Sequence, residues 1–395
     1  MTTYRVALIG CGNRGAQAAR AYHAHPRTEV VGLCDLVQER LDALGDELQV
    51  SARYSDLDAM IEQTRPEIVA IPTGTEYHYD LLMRALEHGV NIDVEKPICI
   101  NLDQVDAVVA KARDKGVRIA VHHQERVGRH MRAVERAFGE GRIGELRYVS
   151  GSGKGYYGGY GLLNIGVHML NHICKFAGRC LSVSATALTD GRPITPEDVV
   201  PSPNGMGTIA GEHITATLQF DGNLTGSLLQ HRFREVDNAG YGMELYGTQG
   251  RLFWSADGGA WSGAWWLPQP HYVPGGERDR WQPLESQHTD GYDPSRPASS
   301  SEYAFVEEYV AALDEGRDHE SSGYEGRHVM EIMMGIFESA AFGRRVELPQ
   351  QRRDHPLLRW RREHGLQDPA PMPRPYVEWL AAEDMRLGRA EPDIR

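Results

Sequence analysis

A lysine, a histidine and a run of glycines are the residues of this chain whose types and spacing can do chemistry. Lys96 stands in Glu95-Lys96-Pro97, where an apolar run ends, and His168 follows Asn164 and Gly166 on a helical stretch. Gly10-Cys11-Gly12-Asn13-Arg14-Gly15 comes directly after the apolar run from Tyr4 to Ile9. Between a strand and a helix, GxGxxG sets the backbone N–H groups of a helix N-terminus against a pyrophosphate. Gly10 makes the tight turn, Gly12 allows close approach of the phosphates and Gly15 lets helix meet strand. Asp35 closes the next apolar run, Val30 to Cys34, twenty positions past Gly15. There a dinucleotide fold places the acid that accepts ribose hydroxyls and repels a 2′-phosphate. No Arg or Lys follows Asp35 until Arg40, so the spacing predicts NAD rather than NADP.

Oxidising a secondary alcohol sends a hydride to the nicotinamide and a proton to the protein. Lys96, at the carboxyl end of a parallel strand, is expected in the ligand crevice with a pKa lowered beside the cationic ring. On the residues alone, a salt bridge to Glu95 explains it as well. His168 is the natural second proton carrier, although a single histidine on an apolar helix is as readily a core residue. His172 follows one turn later and is read as support, because no HExxH pattern or nearby carboxylate completes a metal site. No metal is expected.

Gly151 to Gly161 leads into this helix and interleaves Lys154, Tyr156, Tyr157 and Tyr160 with glycines. Such a segment is either a plain connection or the floor of a sugar site, where rings cover C–H faces and Lys154 and the phenols bond hydroxyls. Tyr157 is taken as a third catalytic candidate beside Lys96 and His168. His122, His123, Arg126, Lys154, His231, Arg232 and Arg234 form a basic set. Such a set is either a solvated face or, concentrated near the expected site, a means to recognise an anionic sugar such as a uronate, phosphate or sulfonate.

Strand runs and helical runs alternate over the first third of the chain, with strands at 5–9, 30–35, 68–73, 91–95 and 118–122. That alternation predicts an α/β doubly wound parallel sheet over residues 1–123. From 124 to 345 the pattern shifts to a few helices and several alternating strands, with an Asp221-Gly222 hairpin turn, which predicts an α+β domain with a mostly antiparallel open sheet. Residues 256–300, rich in Gly, Pro, Ser and Trp, read as a long loop. The Pro- and Arg-rich tail, 346–395, is expected to wrap a neighbour or another subunit. With 395 residues there is room for two domains, and a net charge of −13 argues against nucleic-acid or anionic-membrane partners. Five cysteines without CxxC spacing, an immediate entry into the first strand and no long apolar run predict a reduced, cytoplasmic protein. The open sheet and the tryptophans from Trp254 to Trp281 predict a homo-oligomer.

An N-terminal dinucleotide domain ending in Glu-Lys-Pro and followed by an α+β domain resembles the Gfo/Idh/MocA family of nicotinamide-dependent sugar and polyol oxidoreductases. Ile71-Pro72-Thr73 with His78, Gln124-x-Arg126, Gly141-x-Ile143-Gly144 and Asn164-x-Gly166-x-His168 extend the resemblance over roughly residues 4–345. It implies that Asn13, Arg14, Thr73, His78, Glu95 and Gln124 join Gly10, Gly12, Gly15, Asp35 and Lys96 around NAD. It further implies that Arg126, Lys154, Tyr156, Tyr157, Asn164, His168 and His172 face a sugar, polyol or glycoside. Where the family usually has Asp, this chain has Asn164, which removes a possible base. Some relatives of this family retain NAD and cleave glycosides by transient oxidation, elimination, water addition and re-reduction. An anionic glycoside such as a sulfoquinovoside is one candidate for that route.

Overall fold

The structure is a computed structural model that describes residues 2–237, 240–256, 262–271 and 280–389. It divides into two compact units. The first comprises Met1–Cys99, Gln104–Arg132 and Ser286–Arg327. Its sheet contains β1 (Tyr4–Ile9), β2 (Thr28–Cys34), β3 (Arg53–Tyr54), β4 (Ile68–Ile71), β5 (Asn91–Val94) and β6 (Ile119–Val121). All are parallel, in the order β3-β2-β1-β4-β5-β6. β4 is buried throughout, as a strand covered by helices on both faces must be. The order reverses between β1 and β4, which places a ligand crevice at their carboxyl ends.

The segment Ser286–Arg327 was expected in the second domain and instead completes the first unit. Its helix, Ser300–Asp314, inserts Tyr303, Phe305, Val306, Tyr309 and Val310 into the core that holds Val6, Leu8, Tyr22 and Ala120. Tyr309 Oη donates to the carbonyl of Ile92 at 2.7 Å. An apolar helix does not say in sequence which of two sheets it covers, and here burial against the parallel sheet decides.

The second unit comprises Ile100–Asp103, Ala133–Glu285 and His328–Arg395. Its strands are β7 (Leu146–Ser152), β8 (Cys180–Thr189), β9 (Arg192–Pro193), β10 (Val200–Pro201), β11 (Thr208–Ile209), β12 (His213–Phe220), β13 (Thr225–His231), β14 (Gly242–Gly247), β15 (Arg251–Ser255), β16 (Gly263–Leu267), β17 (Gln282–Pro283) and β18 (Val346–Glu347). The large sheet runs β17-β16-β15-β14-β7-β13-β12-β8-β18, with β9 paired to β8. Within this sheet only β7 and β13 pair in parallel among the described strands. β12 alternates buried and exposed residues, so one sheet face is covered and the other is open.

Part of the expected 256–300 loop is strand: β16 carries Trp265 and Trp266 and pairs with β15. Trp254 is fully buried rather than part of an exposed loop, and Trp261 lies outside the described residues. The tail lies on its own unit. β18 adds to β8, the helix Pro356–Glu363 follows, and the helix Tyr376–Arg386 buries Trp379, whose Nε1–H donates to Pro201 O at 2.7 Å. No helix among the described residues is long and apolar enough to cross a membrane.

Candidate active site

The first unit holds a groove of about 520 Å³ at the strand ends, lined by Gly10, Gly12, Asp35, Arg40, Thr73 and Tyr77 among others. Gly10 has φ +105°, and a Cβ on Gly15 would stand 1.9 Å from Gly10 O, so turn and helix meet only because both residues are glycine. Gly12 precedes the helix Asn13–Ala24 without a side-chain cap. Space around it is open. Asp35 accepts from Cys11 N at 2.6 Å and from Val37 N at 2.8 Å. These bonds fix its carboxylate while leaving lone pairs for two ribose hydroxyls. Thr73 Oγ1 and Gln124 Oε1 are buried and have no hydrogen-bond partner in the structure, the state of polar atoms reserved for a ligand. These features fit a dinucleotide. Arg40, five positions after Asp35, lines the same groove.

Lys96 follows β5, half-buried, and the Lys96–Pro97 peptide is cis. Its backbone N–H donates to Glu95 at 3.1 Å. His78 sits behind this turn, fully buried, with its ring nitrogens 2.9 Å from Pro97 O and 3.1 Å from Thr73 O. It shapes the turn from beneath and is sealed from the groove, which corrects its expected place at the cofactor. The guanidinium of Arg14, partly exposed, spans Glu95 at 2.7 Å, Glu302 at 3.1 Å and Gln17. It ties the start of the helix to the end of β5. Asn13 is exposed at the helix start.

Glu302 also meets His122 at 2.7 Å, and His122 meets Asp93 at 2.9 Å, both beneath the strand ends. Burial opposes the charge on His122, but the Asp93 and Glu302 carboxylates overcome it and raise the imidazole well above its usual range. Burial likewise works to raise Glu302, and His122 and Arg14 hold it down at about 2. His122 is therefore an internal cation and leaves the set expected to recognise an anion. Arg126, buried at 7% exposure, stands 3.6 Å from Glu325.

In the second unit, Asn164 lies in a π-helical turn, Leu162–Gly166, that continues into the helix Val167–Ala177 carrying His168 and His172. Inserted π turns recur at functional sites, and no sequence signal marks this one. Asn164 Nδ2 donates to Tyr160 Oη at 3.1 Å. Lys154 Nζ stands 4.9 Å from the ring centre of Tyr241, which in turn is 6.4 Å from the His168 ring. Tyr241, at the entry to β14, was missed in sequence because a tyrosine before a strand has no distinguishing pattern. His172 is fully buried, edge-on to Trp254 at 4.7 Å, where it backs the helix.

Three expectations fail in this unit. Tyr157 is fully buried and donates to Glu383 at 3.1 Å, and burial raises its phenol well above the usual range. It is a packing residue without access to a ligand. Arg232 is taken by Asp384 at 2.7 Å and Glu212 at 2.9 Å. His231 bonds Thr215 at 2.9 Å on the open sheet face. Tyr156 remains half-buried beside Tyr160.

The parallel sheet, its glycine turn and the anchored Asp35 define an NAD-binding Rossmann domain of an oxidoreductase. Residues 4–123 match the Gfo/Idh/MocA family, described as "Oxidoreductase family, NAD-binding Rossmann fold". Over 141 residues the chain is 33% identical to a D-apiose dehydrogenase of Paraburkholderia graminis, which spans 36% of this chain and 38% of that protein. A D-apiose dehydrogenase of Rhizobium rhizogenes is 24% identical over 373 residues, 88% of this chain and 98% of that protein. A levoglucosan dehydrogenase solved with NADH and levoglucosan superposes with a TM-score of 0.72 at 19% identity, covering 88% of this chain and all of that one.

Proposed function

We propose that this protein oxidises a ring hydroxyl of a sugar, polyol or glycoside. NAD, when bound, supplies the hydride acceptor. Gly10, Gly12 and the N-terminus of the helix Asn13–Ala24 hold its pyrophosphate, and Asp35 holds the adenosine ribose. Thr73 and Gln124 offer their unpartnered oxygens to the same molecule. Lys96 takes the hydroxyl proton from the substrate, and His168 and Asn164 bond substrate hydroxyls, with Lys154 and Tyr241 as further contacts. The observation that carries the reading is the strand-end groove in which the glycine turn, Asp35 and the unpartnered hydroxyl of Thr73 converge. The sugar class rests on likeness to proteins named for sugar oxidation. With Arg232 and His122 engaged internally and Arg126 buried beside Glu325, an anionic substrate would rest on Lys154. Five buried thiols accord with a reducing cytoplasm.

The test is a panel of D-apiose, myo-inositol, levoglucosan, methyl glucosides and 4-nitrophenyl glycosides, neutral and charged, with NAD in excess. Reduced nicotinamide in proportion to product is the expected result. Asn164, which cannot serve as a base, favours one alternative, a glycoside hydrolase with retained NAD. Nitrophenol release without reduced nicotinamide, and with solvent deuterium in the freed sugar, would establish that alternative and overturn the dehydrogenase.

A further inference from the structure

The tail, expected from the sequence to wrap a neighbour or another subunit, lies instead on its own unit, where its helix Tyr376–Arg386 contacts the tyrosine segment leading to Asn164. Tyr376 Oη accepts from the backbone N–H of Tyr157 at 2.9 Å. Its ring stacks on Tyr160 at 5.0 Å and meets Tyr156 edge-on at 4.9 Å. One turn on, Trp379 packs against the Tyr157 ring at 4.9 Å, and Glu383 accepts from Tyr157 Oη. Asp384 closes the contact by a two-pronged bond to Arg232, at 2.7 Å on each oxygen. On its other side the segment is held by Gly158 N to Glu212 O at 2.8 Å and Gly159 N to Gly211 O at 2.9 Å.

Tyr160 is where this clamp reaches the site. Its hydroxyl receives Nδ2 of Asn164 at 3.1 Å and Nδ2 of Asn204 at 2.9 Å. A carboxamide with its nitrogen engaged presents a fixed oxygen acceptor. Aromatic stacking holds Tyr160 itself through Tyr376. We propose that the helix Tyr376–Arg386 is a positioning element for substrate: Tyr376 fixes Tyr160, and Tyr160 fixes the carboxamide of Asn164. This rests on the reading of Asn164 as a ligand of substrate hydroxyls. The tail then influences substrate affinity without touching substrate.

The experiment uses the full chain with Tyr376→Ala, Tyr376→Phe and Tyr160→Phe. It measures amide hydrogen exchange over residues 153–168, steady-state kinetics on whichever sugar of the panel is oxidised, and NAD affinity by calorimetry. Tyr376→Ala should speed exchange over 155–161 and raise KM about tenfold while kcat changes less than about threefold. Tyr376→Phe, which keeps the ring, should recover most of both. Tyr160→Phe should raise KM by about fivefold with exchange near that of the parent. NAD affinity should stay unchanged throughout. Faster exchange with an unaltered KM would reduce the helix to a packing element and overturn the proposal, as would unchanged exchange in Tyr376→Ala. If no sugar is oxidised, the dehydrogenase reading falls and exchange alone decides the role of the tail.

Discussion

Asp35 is a residue whose role follows from two backbone amides. Cys11 N and Val37 N aim its carboxylate into the groove, and a 2′-phosphate there would meet a fixed like charge. Arg40 on the same groove is the group such a phosphate would seek. Asp35→Asn keeps an acceptor and removes the charge, so the ratio of NAD to NADP affinity should fall at least tenfold, about 1.4 kcal/mol, by calorimetry. An unchanged ratio would take selectivity away from Asp35. Lys96→Ala should lower turnover at least about a hundredfold, the scale of a positioned proton carrier, with NAD affinity kept. Near-normal turnover would remove Lys96 from the chemistry. The glycine turn and Asp35 were legible because short-range backbone geometry admits few residue types. Arg14, Tyr157 and Arg232 were not, because their partners Glu302, Glu383 and Asp384 lie more than a hundred residues away in sequence.

Among the elements, the helix Ser300–Asp314 shows why domain boundaries were harder to read than strands. Its apolar faces announce burial without naming the sheet, and its polar contribution, Glu302, acquires meaning only beside His122 and Arg14. Those contacts set a pH dependence. The folded Glu302 lies at about 2 against an ordinary 4.5, so its contribution is complete above pH 4.5 and is lost as pH falls towards 2. His122 is shifted the other way from 6.5. Its contribution is complete below pH 6.5 and is lost as pH rises through the raised value. Glu302→Gln leaves the buried His122 and the partly exposed Arg14 short of a partner and should cost about 3 kcal/mol near pH 5 to 6. Denaturant unfolding at several pH values checks this, and the gap between parent and variant should narrow below pH 4.5 and close only towards pH 2. A gap that is constant with pH would show that Glu302 is not the ionised partner.

At the scale of the whole molecule, the open face of the large sheet is the feature that most needs an explanation. Ser184, Thr217, Ser227, Ser150, Glu244, Phe253 and Trp265 face one another in register across seven strands. One end of this row is hydroxyl-bearing and the other aromatic, and beside it Leu229 is 41% exposed. Charges are sparse: Glu244 is already paired with Arg251. A broad, flat face of hydroxyls and half-exposed aromatics is more than isolated chains usually leave in water, and twofold pairing of identical sheets would cover it. Tyr148 and Ser227 already share a hydrogen bond across this face. We expect a homo-oligomer at micromolar concentration by light scattering. Leu229→Glu, which sets a charge on that face of the second unit, should shift the population towards monomer while leaving circular dichroism and NAD affinity unchanged. A parent protein that stays monomeric would overturn the assembly. A parent oligomer that ignores Leu229→Glu would move the interface to another surface.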